Sequence, residues 1–494
     1  MQTALNPGRP AGKLVVVSNR ASYVFTGSAG QITWKRAVSG LVSAVEPVLN
    51  TVGGTWVAWC GRLDGRQGKG MRIGVPAGSP RYFLQEVIFG EEEYRGYYHG
   101  FANGCLWPLA HQMLEKCNFQ GEFWPAYRQV NHKFARAVLE SAREDSIFWV
   151  HDYHLALVPQ LLRRRLPGAK VAFFWHIPFP PPDVFAVLPW GRQVLHGLLG
   201  SDLIAFHTRS YLENFLACAK KYFRLKVNPE HGLIWFGSRR LIARAIPVGI
   251  NWQRFEQLAD DPEVKAQAQR IRRSTGAEYL FLGIDRLDYT KGIPERIKAF
   301  GAFLDRFPQY RGKTALLQIA VPTRNGVEAY DKLKQKVERL VGEVNGAHDH
   351  GYGAVPVRYL HRSLSEKELA AHYLAADVML VTALRDGLNL IAKEFIATRT
   401  DGQGVLLLSP FAGAADELTS ALLANPYNLN QLVNRMKTAL EMPPEEKRER
   451  LRALQQTVKN KDSRWWWQTQ LKLISLPQGR PAPEKHLAAN QTAT

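Results

Sequence analysis

Charged and polar residues directly follow an apolar run late in the chain. Residues 378–384 read as a buried strand, which Asp386 and Gly387 interrupt before a helix-like segment. A helix that begins there directs unpaired backbone N–H groups and a positive end at one place, which suits a phosphate. Glu394, about two turns into this helix, could accept two hydrogen bonds from a vicinal diol such as a ribose. The segment predicts a nucleotide site, although a simple turn and a solvated glutamate are the alternative.

Two cations follow another strand-like run in the second half of the chain. Arg286 and Lys291 come after residues 279–283, and Gly292 then opens a helix. A guanidinium group can hold a diphosphate as a fork, and a lysine ammonium can hold it as a point charge. The pair therefore suits a diphosphate, with a surface ion pair to Asp288 as the alternative.

Four further polar residues end strand-like runs. Arg20, Asp152 and His176 do so in the first half, and Arg324 does so in the second. Ligands of open α/β sheets bind beyond the carboxyl ends of the strands, so the first three could share one rim and Arg324 could hold a second anion. Taken singly, each has an ordinary explanation: a surface charge for either arginine, a helix cap for Asp152 and a buried imidazole for His176.

The composition is that of a large globular protein with anionic partners. The chain has 494 residues, 46% of them hydrophobic, which is enough for two or more domains. A net charge of +20 favours anionic ligands, but the basic clusters are short, so we expect no nucleic acid partner. The four cysteines show neither a disulfide framework nor a zinc pattern. With no signal-peptide core and no membrane-length apolar run, we expect a cytoplasmic protein without a membrane partner.

Strand-like runs alternate with helix-length amphipathic stretches, which predicts an α/β protein with parallel sheets. The runs form two sets, so we expect two doubly wound Rossmann-like domains that face a central cleft. The predicted first domain covers residues 1–247 and the second covers 248–476, whose last helix packs back across the join. Residues 477–494 read as a disordered tail. The runs are residues 14–17, 147–150, 171–175, 203–206, 279–283, 315–320, 378–384 and 405–408.

Several familiar motifs are absent from the sequence. It has no G-x-x-x-x-G-K-[ST], no G-x-G-x-x-G after a strand and no H-E-x-x-H. It also has no Asp-x-Asp pair, which could hold a divalent ion against a sugar nucleotide. We therefore expect no metal, and neutralisation of the diphosphate falls to Arg286, Lys291 and the helix end.

Together, these motifs resemble glycosyltransferase family 20, the family of the trehalose-6-phosphate synthases, from about residue 14 to residue 476. No single motif would carry the resemblance, but their order and spacing do. The motifs are Ser18-Asn19-Arg20, Tyr97-Tyr98 with Leu106-Trp107-Pro108, His151-Asp152-Tyr153-His154, His176-Ile177-Pro178-Phe179-Pro180, Arg286-Leu287-Asp288-Tyr289 with Lys291-Gly292, Arg324, Arg385 to Glu394, and Phe411-Ala412-Gly413-Ala414.

The resemblance implies a GT-B fold and a retaining glucosyltransferase. Glucose would pass from UDP-glucose to glucose 6-phosphate, giving α,α-trehalose 6-phosphate and UDP, with no cofactor beyond the nucleotide sugar. The departing phosphate would accept the acceptor's proton on the same face of the sugar. Preorganised cations and N–H groups aimed at that phosphate would lower the barrier.

The resemblance also implies a role for individual residues. The catalytic residues would be His176, Asp386 and Asp152. The donor-binding residues would be Ser39, Gly40, Arg286, Lys291, Leu364, Gly387, Leu388, Asn389, Leu390, Ile391, Ala392, Lys393 and Glu394. The acceptor-binding residues would be Arg20, Tyr98, Asp152 and Arg324. The residues that select the anomer would be Trp107 and Ile177.

One departure from the family pattern leaves alternatives open. The family has Gly-Gly-Leu where this chain has Ser39, Gly40 and Leu41, so a backbone conformation that requires glycine would be lost there. The alternatives are a glycerol 3-phosphate acceptor, an ADP-glucose or GDP-glucose donor, a catalytically silent sugar-phosphate sensor and a polyanion-binding protein. A homo-oligomer is compatible with the sequence.

Overall fold

Two β-sheets, one from each half of the chain, organise the structure. It is a computed structural model that describes residues 14–26, 33–37, 40–63, 70–76, 78–143, 145–323, 328–349, 351 and 353–475. All eight predicted strands are present, and the α/β prediction is confirmed. Residues 477–494, the predicted tail, lie outside the described residues.

The first sheet is parallel except at its edges. Its order is β10-β11-β12-β9-β8-β7-β1-β4-β6-β5, and the antiparallel pairs are those of β10 with β11, β11 with β12 and β5 with β6. A separate hairpin joins β2 and β3. The strands are β1 (Leu14–Arg20), β2 (Tyr23–Thr26), β3 (Thr33–Arg36), β4 (Thr55–Trp59), β5 (Arg72–Val75), β6 (Tyr82–Glu86), β7 (Ile147–His151), β8 (Lys170–Phe174), β9 (Leu203–Phe206), β10 (Lys226–Asn228), β11 (Leu233–Phe236) and β12 (Arg239–Ala245).

Helices connect the parallel strands of this sheet, as right-handed crossovers require, except that β4 leads to β6 through β5. A π-helix, Arg95–Leu106, joins the second and third helices, and a 3₁₀ turn, Tyr153–Leu155, follows β7. The α-helices are α1 (Gly40–Val52), α2 (Glu91–Tyr94), α3 (Trp107–Ala110), α4 (Phe123–Ser141), α5 (Val158–Arg165), α6 (Pro182–Phe185), α7 (Gly191–Leu198) and α8 (Arg209–Tyr222).

The second sheet is parallel throughout and has the order β15-β14-β13-β16-β17-β18. All but the last residue of its second strand, Thr-Ala-Leu-Leu-Gln-Ile-Ala-Val, are buried, as expected where helices cover both faces of a parallel sheet. The strands are β13 (Tyr279–Arg286), β14 (Thr314–Val321), β15 (Val357–Leu360), β16 (Val378–Val381), β17 (Val405–Leu408) and β18 (Leu422–Leu423).

Proline and polar caps mark the starts of several helices in the second half. Ser365 and Glu368, for example, form a capping box at the start of α13. None of the helices among the described residues combines the length and the apolar character that crossing a membrane requires. The α-helices are α9 (Trp252–Asp260), α10 (Pro262–Thr275), α11 (Ile293–Arg306), α12 (Glu328–His348), α13 (Glu366–Ala375), α14 (Leu390–Thr398), α15 (Leu429–Glu441), α16 (Pro444–Asn460) and α17 (Ser463–Ser475).

The strand order reverses once near the middle of each sheet. In the first sheet β1 lies between β7 and β4, and in the second β13 lies between β14 and β16. Crevices form where the connections leave in opposite directions, at the carboxyl ends of such strands. Arg20 ends β1, Asp152 follows β7, Arg286 ends β13 and Asp386 follows β16 by a short loop. The predicted site residues therefore lie beside the points where the strand order of each sheet reverses.

The last helix among the described residues, α17, packs against β8 and β9 of the first sheet. Trp149 in β7 donates a hydrogen bond of 3.1 Å from Nε1 to Oε1 of Gln470, and its ring centre lies 5.0 Å from that of Trp466. At the join, a Cβ atom on Gly249 would stand 2.2 Å from the carbonyl oxygen of Asp462. The final helix is thus part of the core beneath the first sheet.

One strand is shorter than the prediction. The run 378–384 was expected to be strand throughout, but β16 ends at Val381 and an irregular segment leads to Leu390. Thr382 and Ala383 are still buried. The end of this run is thus buried beside the sheet without pairing within it, a difference that periodicity alone does not distinguish.

Candidate active site

Lys291 and Asp386 form a buried ion pair at the carboxyl edge of the second sheet. Nζ of Lys291 lies 2.5 Å from Oδ2 of Asp386, and the same oxygen accepts a hydrogen bond of 3.0 Å from Nδ2 of Asn389. Burial alone would raise the pKa of Asp386, but Lys291 and Asn389 outweigh it and hold that pKa below its ordinary value. The carboxylate is therefore ionised and held from two sides.

Gly387 touches the first half of the chain through its backbone. A Cβ atom there would stand 2.3 Å from the carbonyl oxygen of His176 and 3.1 Å from Cα of Ile177. Beside it, the hydroxyl of Tyr211 donates a hydrogen bond of 3.0 Å to the carbonyl oxygen of Asp386. A side chain at position 387 would force these backbones apart, so glycine keeps the two halves of the site together.

Helix α14 begins beside the first residue of α1. Its N-cap is Asn389, with φ of 80°, and Oδ1 of that residue accepts a hydrogen bond of 3.2 Å from the N–H of Ala392. A Cβ atom on Gly40 would lie 2.9 Å from Cδ1 of Leu390. The predicted phosphate-binding end of α14 and the start of α1 therefore meet, and the positive end of α14 lies at this contact.

Glu394 lies in the second turn of α14, where α13 contacts it. The hydroxyl of Tyr373 donates a hydrogen bond of 2.8 Å to Oε2 of Glu394. Burial raises the pKa of Glu394 to about 7, against the opposing effect of Tyr373. Leu364 is buried immediately before Ser365, the N-cap of α13. A ligand that donates hydrogen bonds to Glu394 would stabilise its charged form.

Lys393 points away from the cleft and connects α14 to the join between the sheets. Its Nζ donates a hydrogen bond of 2.7 Å to the carbonyl oxygen of Val248 and forms an ion pair with Glu417. Any donor contact at this position therefore has to come from its backbone. Other members of the predicted donor segment pack into the core around it: Leu388, Leu390, Ile391 and Ala392.

Arg286 contacts the first half of the chain. Its guanidinium carbon lies 5.2 Å from the centre of the Trp107 ring, a cation–π distance. Trp107 opens α3, which continues the π-helix that carries Tyr98. The contact places the predicted diphosphate-binding cation against a predicted wall of the acceptor pocket.

Arg20 and Tyr98 lie together at the carboxyl edge of the first sheet. Nη2 of Arg20 donates a hydrogen bond of 3.0 Å to the hydroxyl of Tyr98. The Tyr98 ring stacks on that of His154, with their centres 5.8 Å apart. Nδ1 of His154 is 4.0 Å from Oδ2 of Asp152. The predicted acceptor residues Arg20, Tyr98 and Asp152 therefore lie along one connected set of contacts.

Asp152 has an unusual backbone conformation and a hydrogen-bonded side chain. Its φ is 76°, which a non-glycine residue rarely adopts. Its Oδ1 accepts hydrogen bonds from the N–H groups of Tyr153, at 2.9 Å, and His176, at 3.1 Å. Burial raises the pKa of Asp152 to about 7, although those bonds and the charge of Arg286 lower it. The turn is thus built around this carboxyl group.

His176 lies within a cluster of aromatic side chains. Its Nε2 is 3.0 Å from Nδ1 of His151, and its carbonyl oxygen is 3.1 Å from Nε2 of His207. Burial and the neighbouring imidazoles lower the pKa of His176 well below its ordinary value, so the ring is neutral. The Trp466 ring, from the last helix, lies 6.3 Å away.

Two predicted residues lie outside the described residues, namely Ser39 and Arg324. The sequence interpretation also missed contributors that the structure places at the site, including His151, Tyr211 and Trp466. His151 could have been noticed, because it begins the motif that contains Asp152. Tyr211 and Trp466 gave no comparable signal, since each is an aromatic residue on a helix far along the chain.

The chain matches the model of glycosyltransferase family 20 over residues 12–475. It is 39% identical to the bifunctional trehalose-6-phosphate synthase/phosphatase of Thermoproteus tenax, over 96% of this chain and 65% of that protein. The chain thus spans less than two thirds of that relative. It is 38% identical to the trehalose-6-phosphate synthase of Mycolicibacterium smegmatis, over 88% of this chain and 87% of that protein.

Solved structures agree with this match. An E. coli structure bound with UDP-2-fluoro glucose superposes with a TM-score of 0.86 at 31% identity, covering 94% of this chain and 100% of that chain. The same values hold for an α,α-trehalose-phosphate synthase from Burkholderia xenovorans in complex with glucose-6-phosphate. The expected GT-B fold and glycosyltransferase class are confirmed. This chain belongs to glycosyltransferase family 20.

Proposed function

We propose that this enzyme transfers glucose from UDP-glucose to glucose 6-phosphate with retention of configuration, producing α,α-trehalose 6-phosphate and UDP. The observation that carries the proposal is the Lys291–Asp386 ion pair and the nearby Gly387 contact with His176. The Gly387 contact brings the second-sheet ion pair beside His176, whose backbone N–H donates a hydrogen bond to Asp152 of the first half. The relatives' substrates support the choice of donor and acceptor.

The donor would lie against the second sheet. Arg286, Lys291 and the start of α14 would neutralise the diphosphate, and Glu394 would accept hydrogen bonds from the ribose. Leu364 would contribute backbone contacts near the base. Because these protein groups supply the positive charge, we propose that the reaction needs neither a metal nor a cofactor.

The acceptor would lie against the first sheet. Arg20, Tyr98 and Arg324 would hold its phosphate, and Asp152 would accept a hydrogen bond from its sugar ring. Trp107 and Ile177 would shape the pocket and set the anomer that reacts. With the acceptor seated there, its hydroxyl would approach the donor from the side where the diphosphate leaves.

The proposed step takes place on one face of the donor glucose. The bond from C1 to the diphosphate oxygen breaks, the acceptor hydroxyl oxygen bonds to C1, and its proton passes to the departing phosphate. A double-displacement route needs a carboxylate nucleophile at the sugar, about 5 Å from a second carboxyl group. Asp386 already engages Lys291 and Asn389 through Oδ2. Its place would be to hold donor hydroxyls, with His176 beside it.

A substrate panel tests the proposal. Purified enzyme is incubated with UDP-, ADP- and GDP-glucose, each paired with glucose 6-phosphate or glycerol 3-phosphate, and the products are identified by mass and anomeric NMR. We expect the highest rate and an α,α-linked product with UDP-glucose and glucose 6-phosphate. A different preferred pair would replace the proposed substrates, and the absence of product from every pair would contradict a catalytic role.

We also propose a cytoplasmic location, which suits the four free cysteines.

A further inference from the structure

A cavity of about 570 Å³ opens between helices α4, α5 and α7 of the first half of the chain. None of its lining residues is among those placed in the cleft described above. Its volume lies within the range of about 300–1,000 Å³ that is common for small-molecule sites. The cavity is therefore large enough for an organic ligand rather than a bare ion.

Three exposed arginines, one from each helix, converge on this cavity. They are Arg128 on α4, Arg164 on α5 and Arg192 on α7. The lining includes no aspartate or glutamate. Within the part of the chain that the structure describes, none of the three arginines forms an ion pair with a carboxylate. Their charge is uncompensated inside a concave surface, which favours an anionic ligand.

The pKa values of two histidines in the lining are lowered by burial and by these arginines. Burial first, and then nearby arginines that include Arg128 and Arg164, lower the pKa of His132. Burial first, and then Arg164 and Arg192, lower the pKa of His196. Arg164 therefore lies close enough to influence both His132 on α4 and His196 on α7.

The remaining lining is apolar, aromatic or amide. The rings of Trp124 and Phe223 are partly exposed in the cavity. Arg192 is held by Phe223, with 4.8 Å from its guanidinium carbon to the ring centre, and it donates a hydrogen bond of 2.9 Å to the carbonyl oxygen of Tyr222. One arginine is thus already oriented, beside ring surfaces on which a sugar or base could pack.

We propose that the cavity between α4, α5 and α7 is a second ligand site, which binds a phosphate monoester carried on a sugar or a nucleoside. The arginines would hold the phosphate, and the aromatic surfaces would hold the organic ring. The lining is confined to one depression between three helices, whereas a long polyanion needs an extended basic surface, so we favour a small molecule. The proposal does not depend on the reaction assigned to the cleft.

Calorimetric titration of the full chain tests this site. The probes are ribose 5-phosphate and adenosine 5′-monophosphate, which separate a sugar phosphate from a nucleotide, with adenosine as the uncharged control. Compared with wild type, the double variant Arg164→Gln/Arg192→Gln should bind at least one phosphate probe about ten-fold more weakly, because it lacks two charged donors. Arg270→Gln, an exposed arginine on α10, should leave binding unchanged.

Thermal melting of each variant keeps the result interpretable, because both substituted arginines are exposed and the fold should be unaffected. Binding confined to the cleft would persist in the double variant. Equal affinity of both phosphate probes for wild type and the double variant would overturn the proposal. The proposal would also be overturned if neither phosphate probe bound the wild type, or if the double variant showed a binding defect with heparin alone.

Discussion

Nδ1 of His151 lies 3.0 Å from Nε2 of His176, and both rings are neutral because burial lowers their pKa values. Nε2 of His151 is buried without a hydrogen-bond partner among the described residues. A buried N–H without a partner is costlier than a buried lone pair, so we assign the hydrogen of His151 to Nδ1. His176 then accepts at Nε2 and carries its own hydrogen on Nδ1, which under the proposed function would donate to the donor glucose.

His151→Ala should therefore reduce kcat by about ten-fold, as expected for the loss of one orienting hydrogen bond. His151→Asn, whose amide N–H can replace the Nδ1 donor, should recover much of that loss. Steady-state kinetics measure both effects, and ¹⁵N NMR of the His176 ring reports its tautomer. Equal defects in the two variants, with an unchanged tautomer, would show that His151 only fills space.

Lys291→Ala should lower kcat/KM by about 100- to 1,000-fold, because under the proposed function the departing diphosphate would lose a preorganised cation. It should also lower the free energy of unfolding by about 3–5 kcal/mol, since the Asp386 carboxylate stays buried without its partner. Kinetics and urea denaturation measure the two effects. Lys298→Ala, an exposed lysine on α11, is the matched control. An active Lys291→Ala enzyme would contradict the diphosphate assignment.

Gly387→Ala should reduce kcat/KM by about 100-fold, the cost of displacing catalytic groups by roughly 1 Å. The added Cβ would meet the carbonyl oxygen of His176 at 2.3 Å, and the loops must separate. The control is Gly342→Ala on α12, where a Cβ meets nothing within 4 Å. Steady-state kinetics of the two variants test this prediction. Similar kcat/KM values would show that position 387 has no steric role.

Tyr98→Phe should raise the KM for the phosphorylated acceptor several-fold and leave the KM for the donor unchanged. The variant keeps the ring but removes the hydroxyl that accepts the 3.0 Å hydrogen bond from Arg20, which is worth about 0.5–1.5 kcal/mol. Tyr94→Phe, on the ring stacked against Tyr98, controls for general disturbance. A larger effect on the donor KM would place Tyr98 on the wrong side of the cleft.

Glu394→Gln should flatten the pH dependence of stability. In the folded state the pKa of Glu394 is about 7, against an ordinary value of 4.5. Between those values the folded enzyme keeps a proton that the unfolded chain releases, so the free energy of unfolding falls as pH rises. Urea denaturation across this range should show a shallower fall in the variant. Glu449→Gln, at an exposed position, should match wild type, and a Glu394→Gln slope as steep as wild type would contradict the raised pKa.

Strand-end residues were the part of the site that could be predicted from sequence. Arg20, Asp152, Arg286 and Asp386 follow apolar runs, and parallel sheets bring such ends to one edge. The contacts between the two halves of the chain could not be predicted from the sequence. The hydrogen bond of Tyr211 to Asp386 spans 175 positions, and its donor is an ordinary aromatic residue of an amphipathic helix.

The direction of each side chain could not be predicted from a motif either. Lys393 belongs to the same segment as Glu394, yet it extends to Val248 and Glu417. Neighbouring helix positions project about 100° apart, but which one faces the ligand depends on how α14 rests on the sheet. The sequence therefore located the segment, and packing decides which way each of its side chains points.

The hydrogen bond between Trp149 and Gln470 spans 321 positions. During synthesis, β7 and its neighbours leave the ribosome long before α17 does. Until α17 follows, the first half of the chain has an uncovered apolar face. Helix α17 then covers the strand that leads into Asp152. A chain that ends before residue 463 would thus contain nearly all of the proposed site residues. It would lack the helix that completes the core beneath the first sheet.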